Sequence, residues 1–238
     1  MIPLGTAGTY TIVAKTGIST VPSSSITGNI GIAPAAMTYI TGFSFTSADA
    51  STPSTSSQIT GAAWAPETTG STSPQAAADM LTAYNNGAAQ GPATATELNG
   101  GALDGLSLTK GIYKWSTTVV LGVGKTLTLN GACGDIFIFQ ASGAISTGAN
   151  SIINLVGGVK SNSIYWVGAT SLTTGVASQF AGIILTGTNV VIAGSLNGAV
   201  YTQTQVALQK ATVTPPTTCP SLDANAATWS FSGAAITW

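Results

Sequence analysis

The sequence predicts a mostly β fold wound as a solenoid, and three observations lead to that prediction. Short segments rich in β-branched and aromatic residues recur along the chain, bounded by Gly, Asn or Ser. The tetrapeptide Leu-Asn-Gly-(Gly or Ala) returns at Leu98, Leu129 and Leu196, as repeated coils would require. Only 6 basic and 7 acidic residues occur among 238, so small neutral residues must cover the surface. Asn-Gly corners are also typical of hairpins, which leaves a β-sandwich as the alternative fold.

The predicted strands are short, each of four or five residues. In chain order they are YTIVA (10–14), GIYKW (111–115), TLTL (126–129), IFIF (136–139), SIIN (151–154), SIYWV (163–167), GIIL (182–185), NVVI (189–192), AVYT (199–202) and QVAL (205–208). The related segments SSSITG at 23–28 and SSQITG at 56–61 add a second internal echo. Repeats of this length favour stacked coils.

One segment has the periodicity of a helix. Ser73 is a suitable N-cap, Pro74 suits the first helical position, and Gly87 supplies a stop signal. We therefore predict a helix over about residues 74–86. Its apolar stripe predicts packing against the β body.

The tail and the cysteines leave alternatives open. The extension at residues 215–238 begins with Pro-Pro, breaks the repeat, and is expected to cap an end of the solenoid by covering strand edges. Cys133 and Cys219 are either two unpaired small apolar residues or one disulfide that pins the tail in an oxidising compartment. A metal site is not expected, because zinc requires about four ligands and the chain has no His.

The charge content argues against several classes of partner. A formal net charge of −1 with scattered Lys provides no electrostatic footprint for nucleic acid or anionic membranes. No apolar run approaches the roughly 18 residues of a membrane span. No signal peptide is visible in this chain, and secretion is an expectation only.

The sequence also gives little support for an enzyme. Nucleophilic hydrolysis normally requires a base such as His, which is absent. A glycosidase would need two carboxylates about 5 to 9 Å apart. Asp104 and Asp135 could approach each other across one coil, and solvated turn carboxylates are the competing interpretation. We expect no enzymatic activity and no cofactor.

A neutral solenoid face suits an ordered ligand. Coils repeat about every 4.8 Å and alternate residues of a strand lie about 6.5 to 7 Å apart, so short side chains form a two-dimensional grid. Because β-branching restricts χ1, Thr holds a methyl and a hydroxyl in fixed positions on such a grid. Ice has a matching lattice. β-Propensity or O-glycosylation would explain Thr and Ser richness equally well.

Six segments resemble the large microbial ice-binding protein family of fungi, algae and bacteria. They are LGTAGTYTIVAKTGIST (4–20), SITGNIGIAP (25–34), STSSQITG (54–61), LTKGIYKW (108–115), GDIFIFQ (134–140) and SIYWVGATSLTTGVASQFAGIIL (163–185). The resemblance implies a right-handed, discontinuous β-helix of triangular cross-section with one long α-helix alongside. It further implies a single ice-binding domain at 1–214, with a capping region and helix inserted at 35–100.

The family's ice surface implies a set of site residues on one flat β-face. Some members carry a Thr-(Ala or Gly)-x-(Thr or Asn) pattern, which Thr147-Gly148-Ala149-Asn150 matches. The coil before Ser195 is about two residues shorter than usual. The expected ice-binding residues are Thr16, Ile18, Thr20, Thr147, Ala149, Asn150, Thr174, Val176, Ile192, Ser195, Thr212 and Thr214.

We therefore expect a secreted, monomeric protein that adsorbs to ice crystals, causing thermal hysteresis and inhibiting ice recrystallisation. The alternative from another class is a carbohydrate-binding or adhesin-like solenoid, whose site would be a groove with stacked aromatic residues.

Overall fold

The computed structural model describes residues 1–21, 24–46 and 51–220. These residues form β strands, short 3-10 turns and one α-helix, α1 (Ser73–Ala88). The strands are β1 Ile12–Ala14, β2 Gly17–Thr20, β3 Ser25–Ile26, β4 Ile30–Ile32, β5 Ile40–Thr41, β6 Ala63–Trp64, β7 Ala95–Thr96, β8 Ser107–Leu108, β9 Gly111–Trp115, β10 Val119–Leu121, β11 Thr126–Asn130, β12 Phe137–Ala141, β13 Ile145–Thr147, β14 Ile152–Val156, β15 Ile164–Gly168, β16 Leu172–Thr173, β17 Gln179–Thr186, β18 Val190–Ile192, β19 Ser195–Thr202, β20 Gln205–Leu208 and β21 Thr212–Thr214.

Parallel pairing of these strands builds a β-solenoid with three faces. The helix-covered face has the order β6-β4-β1-β19-β17-β15-β12-β9-β7. The open face has the order β10-β13-β16-β18-β20-β2-β5. The third, which we call the strapped face, runs β8-β11-β14-β17-β19-β21-β3, with the long strands β17 and β19 bending from it onto the helix-covered face. The predicted mostly β solenoid is confirmed.

The solenoid is discontinuous, because the N-terminal coil lies in the middle of the stack. Strand β1 pairs with β4 on one side and with β19, from the C-terminal coil, on the other. After β4 and β6 the chain enters α1, which runs along the helix-covered face and delivers the chain to β7 at the opposite end. The later coils then stack in order from that end towards the N-terminal coil, and β19 pairs with β1.

The two internal sequence repeats differ in whether their equivalent residues pair as neighbours in the stack. Ile26 and Ile59, the equivalent residues of SSSITG and SSQITG, pair directly as neighbours in the stack. Leu129 pairs with Leu155, which begins the related segment Leu-Val-Gly-Gly at 155–158. Leu98, however, lies in the 3-10 turn Leu98–Gly101 rather than on a strand of that face. Thus only part of the Leu-Asn-Gly repeat reports the stacking period.

The core lies inside the triangle and is filled by inward side chains from all three faces. An aromatic stack runs up its axis, in which the rings of Phe139 and Trp166 are 4.1 Å apart. The Trp166 indole N–H donates to the Ala181 carbonyl at 2.9 Å, which satisfies the one polar atom of this fully buried ring. Aromatic burial of this kind is a major source of core stability.

Helix α1 covers the outer side of its face through small side chains. Ala76, Met80 and Ala83 are fully buried against the strands. Its N-cap is Thr72, one residue before the predicted Ser73, so Pro74 takes the second helical position rather than the predicted first. At the other end, the buried Gln140 side chain donates to the carbonyls of Gly87 and Gln90 at 2.8 and 2.9 Å. The Gly87 carbonyl in the last turn of the helix thereby gains a partner.

The start of the tail is fastened across the strapped face. A disulfide joins Cys133 to Cys219, which decides between the two interpretations of the cysteines. The Thr217 backbone amide donates to the Ser161 hydroxyl at 2.8 Å, and the Asn197 side-chain amide donates to the Pro215 carbonyl at 2.9 Å. We call residues 215–220 the strap. The expected cap formed by the rest of the extension falls on residues 221–238, outside the described residues.

A candidate ice-contact surface on the open face

The side chains of the open face alternate strictly between core and surface. In β13, for example, Ile145 is 1% exposed whereas Ser146 points outward. Parallel pairing without a register shift places the outward residues of successive strands in one column. From one end of the stack to the other, this column contains Ala102, Val120, Ser146, Thr173, Val191, Ala207, Ser19 and Thr41.

This column carries methyl and hydroxyl groups and no charge. Its members are half-exposed or exposed, and Val120 is 43% exposed. A second outward column two residues earlier contains Thr118, Ala144, Ser171 and Asn189. Neighbouring strands are about 4.8 Å apart, so the two columns form a regular grid of short neutral side chains.

A corner bounds the open face on the side of the strapped face, and three successive coils turn it in the same way. Gly124, Asn150 and Ala177 each adopt a left-handed conformation, with φ of 65°, 56° and 57°. The preceding residue in each corner is Val123, Ala149 or Val176, and these three form what we call the corner ridge. Val123 and Val176 are 70% and 67% exposed.

Glycine brings the ridge coils into backbone contact. A Cβ on Gly175 would lie 2.3 Å from the carbonyl carbon of Gly148, and a Cβ on Gly148 would lie 2.5 Å from the amide nitrogen of Val123. No larger residue fits at either position without separating the coils. The Thr-Gly beginning of the predicted motif therefore serves coil packing.

Five of the predicted site residues face the core, so the expectation that they line an outer surface is wrong. They are Ile18, Thr20, Thr147, Thr174 and Ile192, all at most 9% exposed. In the sequence, each of them directly precedes or follows a residue of the outward column. Because strand side chains alternate with period two, a shift of one residue exchanges the two sides of a strand.

The buried threonines use their hydroxyls inside the protein. Thr174 Oγ1 accepts a hydrogen bond from the Ala193 amide of the next coil at 3.0 Å. Thr147 Oγ1 accepts from the Gly175 amide at 3.4 Å. Both hydroxyls satisfy backbone donors at the corner, where the strand ladder has ended.

Four more predicted residues lie away from the open-face grid. Ser195, Thr212 and Thr214 belong to β19 and β21 on the strapped face, where Ser195 pairs with Thr212. Thr16 is exposed at the corner before β2. The expectation that Thr16 and Thr212 lie on one flat β-face is therefore wrong.

The remaining predicted residues, Ala149, Asn150 and Val176, lie on the corner beside the open face. Sequence reasoning missed the outward column itself, including Ser146, Thr173 and Val191. The available signal was alternation in segments such as Leu172-Thr173-Thr174, where either threonine could face outward. Pairing with the neighbouring coils determines the choice.

The described carboxylates do not gather into a catalytic or metal-binding cluster. Asp104 accepts from the Gly122 amide at 2.6 Å, at the corner that follows the open face. Asp135 accepts from the Ala132 amide and pairs with Lys110 at 3.0 Å, at the corner that follows β11. These hydrogen bonds, the amide of Ala132 first, hold the pKa of Asp135 below its usual value. Among the described residues, no three His, Cys, Asp or Glu side chains are placed to hold a metal ion.

The fold and this surface together define a class: a discontinuous β-solenoid that presents one uncharged, in-register face. The chain belongs to the Ice-binding-like family, whose family model matches residues 12–214. No helix in the described part of the chain is long and apolar enough to cross a membrane.

Relatives and solved structures agree with that assignment. Ice-binding protein K1-A of Typhula ishikariensis is 43% identical over 77% of this chain and 76% of its own length. The ice-binding protein of Flammulina populicola is 39% identical over 91% and 89%, respectively. The antifreeze-active ice-binding protein LeIBP from an Arctic yeast superposes with a TM-score of 0.87 at 38% identity, covering 92% of this chain and 96% of that chain. An ice-binding domain from Shewanella frigidimarina gives 0.79 at 28% identity, covering 90% and 97%.

Proposed function

We propose that this protein binds ice through the outward columns of the open face, and that adsorption produces thermal hysteresis and inhibits ice recrystallisation. The observation that carries the proposal is the column from Val120 to Thr41, whose register is unbroken across the face. Its length matters because weak contacts with water add up only when they repeat at regular spacing.

The chemistry of the column suits ordered water. Methyl groups such as those of Val191 and Ala207 favour a cage of ordered water, and hydroxyls such as that of Thr173 hydrogen-bond it to the protein. Charged groups would hold their own hydration shells, and the column contains none. Lys15, Lys125 and Lys210 belong to the corner segments before or after open-face strands.

We propose further that the protein acts outside the cell, as a monomer and without a cofactor or a catalytic step. The disulfide between Cys133 and Cys219 supports an oxidising compartment. Adsorption to a crystal face requires no catalytic centre. The carbohydrate-binding alternative gains no support, since the aromatic residues Trp115 and Trp166 are buried in the core.

Thermal hysteresis and ice recrystallisation of wild type, Thr173→Tyr and Asn154→Tyr test the proposal. Thr173 is exposed on the open face and Asn154 is exposed on the strapped face. We expect wild type and Asn154→Tyr to be active and Thr173→Tyr to lose most of its activity, with all three melting at similar temperatures. Equal activity in the two variants would remove the open face as the site, and an inactive wild type would refute ice binding.

A further inference from the structure

The two ends of the solenoid differ in how their edge strands are covered. At the end formed by β5 and β6, a described segment seals the edge, because Ser54 pairs antiparallel with Ala63 of β6 through backbone hydrogen bonds of 3.1 and 2.8 Å. Next to β5, the rings of Phe43 and Phe45 stack at 5.6 Å, and Phe43 is 1% exposed. A paired segment and two aromatic rings therefore close this end.

The opposite end is formed by residues 93–108, which we call the terminal coil. Its strand β7 pairs with β9 and its strand β8 pairs with β11, and within the described part of the chain the outer side of each has no partner strand. Ala95, Leu98 and Leu106 of this coil pack against the core but remain half-exposed. Native proteins usually cover or block strand edges of this kind.

The strap leads towards the terminal coil. It contacts Asn197 of β19, then Ser161 in the turn after β14, and then Cys133 in the corner after β11. These contacts follow the order of the strands on the strapped face, on which β11 is the neighbour of β8. The disulfide thus fixes Cys219 one coil spacing, about 4.8 Å, from the terminal coil.

The sequence beyond the strap has the length and composition to cover that coil. Residues 221–238 lie outside the described residues, and an extended chain of this length spans about 60 Å. They contain no Pro, so every backbone amide can donate to a strand edge. Trp229 and Phe231 are two positions apart, which places both side chains on one side of an extended segment.

We propose that residues 221–238 dock on the terminal coil of their own chain. Their backbone pairs with the free edges of β7 and β8, and Trp229 and Phe231 cover Leu98 and Leu106. The second end of the solenoid is then closed in the same way as the first, by a paired segment and two aromatic rings. Closing it removes the edges through which two copies would otherwise join end to end. This inference does not depend on ice binding.

A spin label on the tail of the full chain tests the placement. Both native cysteines form the disulfide, so Ser232→Cys supplies a single thiol for a nitroxide. We expect the label to broaden the backbone amide signals of residues 94–108 and to leave those of residues 51–64, at the other end, sharp. Broadening at a different surface, or within the tail alone, would overturn the proposal.

A mixed sample distinguishes the chain's own tail from that of a second copy. Spin-labelled protein without isotopes is added to isotope-labelled protein without the spin label, so that only contacts between two molecules broaden the signals. We expect residues 94–108 to stay sharp in this sample. Broadening there would assign the terminal coil to the tail of a second copy and would contradict docking within one chain.

The double variant Trp229→Ser, Phe231→Ser tests the apolar part of the contact. We expect the amide hydrogens of β7 and β8 to exchange at least about tenfold faster than in wild type, because the covered edge opens more often. Thr228→Ser is the matched control in the same segment and should leave that exchange unchanged. Exchange at the terminal coil that is the same in both variants would show that these rings do not hold the tail there.

Discussion

Thr173 and Thr174 are adjacent in sequence and point in opposite directions: Thr173 is exposed in the outward column, and Thr174 is 2% exposed, with its hydroxyl accepting from the Ala193 amide at 3.0 Å. One threonine belongs to the surface and the other to the corner of the solenoid. Their substitutions should therefore have separable effects.

Replacing Thr174 by Val should reduce the free energy of unfolding by about 1 to 3 kcal/mol, because it leaves the buried Ala193 amide without an acceptor. The matched variant Thr173→Val should change it by less than about 0.5 kcal/mol, as exposed positions usually do. Chemical denaturation measures both. Similar losses of stability in the two variants would contradict the assigned orientation of the strand.

Gly148 and Gly175, which directly precede Ala149 and Val176 of the corner ridge, should tolerate no side chain. We expect Gly175→Ala to destabilise the protein by about 1 to 3 kcal/mol, since overpacking forces backbone shifts. Gly91→Ala is the control, because a Cβ there meets nothing within 4 Å. Melting temperatures of the two variants give the comparison, and an unperturbed Gly175→Ala protein would disprove the close coil contact.

Removing the disulfide should weaken the fold without removing the open face. The Cys133→Ser, Cys219→Ser double variant lacks a link across 86 residues of sequence, and we expect it to lose about 2 to 4 kcal/mol of stability. Thermal hysteresis near 0 °C should persist, because the strap lies on a different face. Loss of activity in a variant that is still folded would instead link the strap to the ice surface.

Acid should destabilise the protein through Asp79, the carboxylate that fastens α1 to the N-terminal segment. Its hydrogen bond from the Thr6 amide, helped by Gln75, lowers its pKa below the usual 3.8. A lowered folded-state pKa stabilises the fold fully above the unfolded-state value and ceases to do so as the pH falls through the folded-state value. The free energy of unfolding should therefore decline in acid below about pH 4.

The Asp79→Asn variant isolates that contribution. Its amide oxygen still accepts from Thr6 but does not titrate in this range, so the stability of the variant should depend less on pH than that of wild type. Denaturation at several acidic pH values measures the slope. Identical slopes in the two proteins would exclude Asp79 as a source of the acid sensitivity.

The sequence alone predicts the solenoid, the helix and the shortened corner, because each leaves a local or periodic pattern. Pro74 and Gly87 mark the helix through backbone chemistry that needs no tertiary context. The missing residues before Ser195 are visible by counting along the repeats. The disulfide could be stated only as one of two alternatives.

The phase of the open-face strands could not be predicted in the same way. Strands such as β16, Leu172–Thr173, are too short for alternation to identify the outward residue. Threonine is also ambiguous, since Thr147 and Thr174 are buried and hydrogen-bonded while Thr173 is exposed. Pairing with coils distant in sequence, such as that of β2 with β20, fixes the phase, and no local pattern reports it.

The most direct test of the central claim is the incorporation of protein into slowly growing polycrystalline ice. The double variant Ser146→Asp, Thr173→Asp places two charges on adjacent coils of the open face, and Thr128→Asp, Asn154→Asp places the same charges on adjacent coils of the strapped face. We predict that the first is excluded from ice and that the second is taken up like wild type. Equal uptake of both, or exclusion of only the second, would contradict ice binding through the open face.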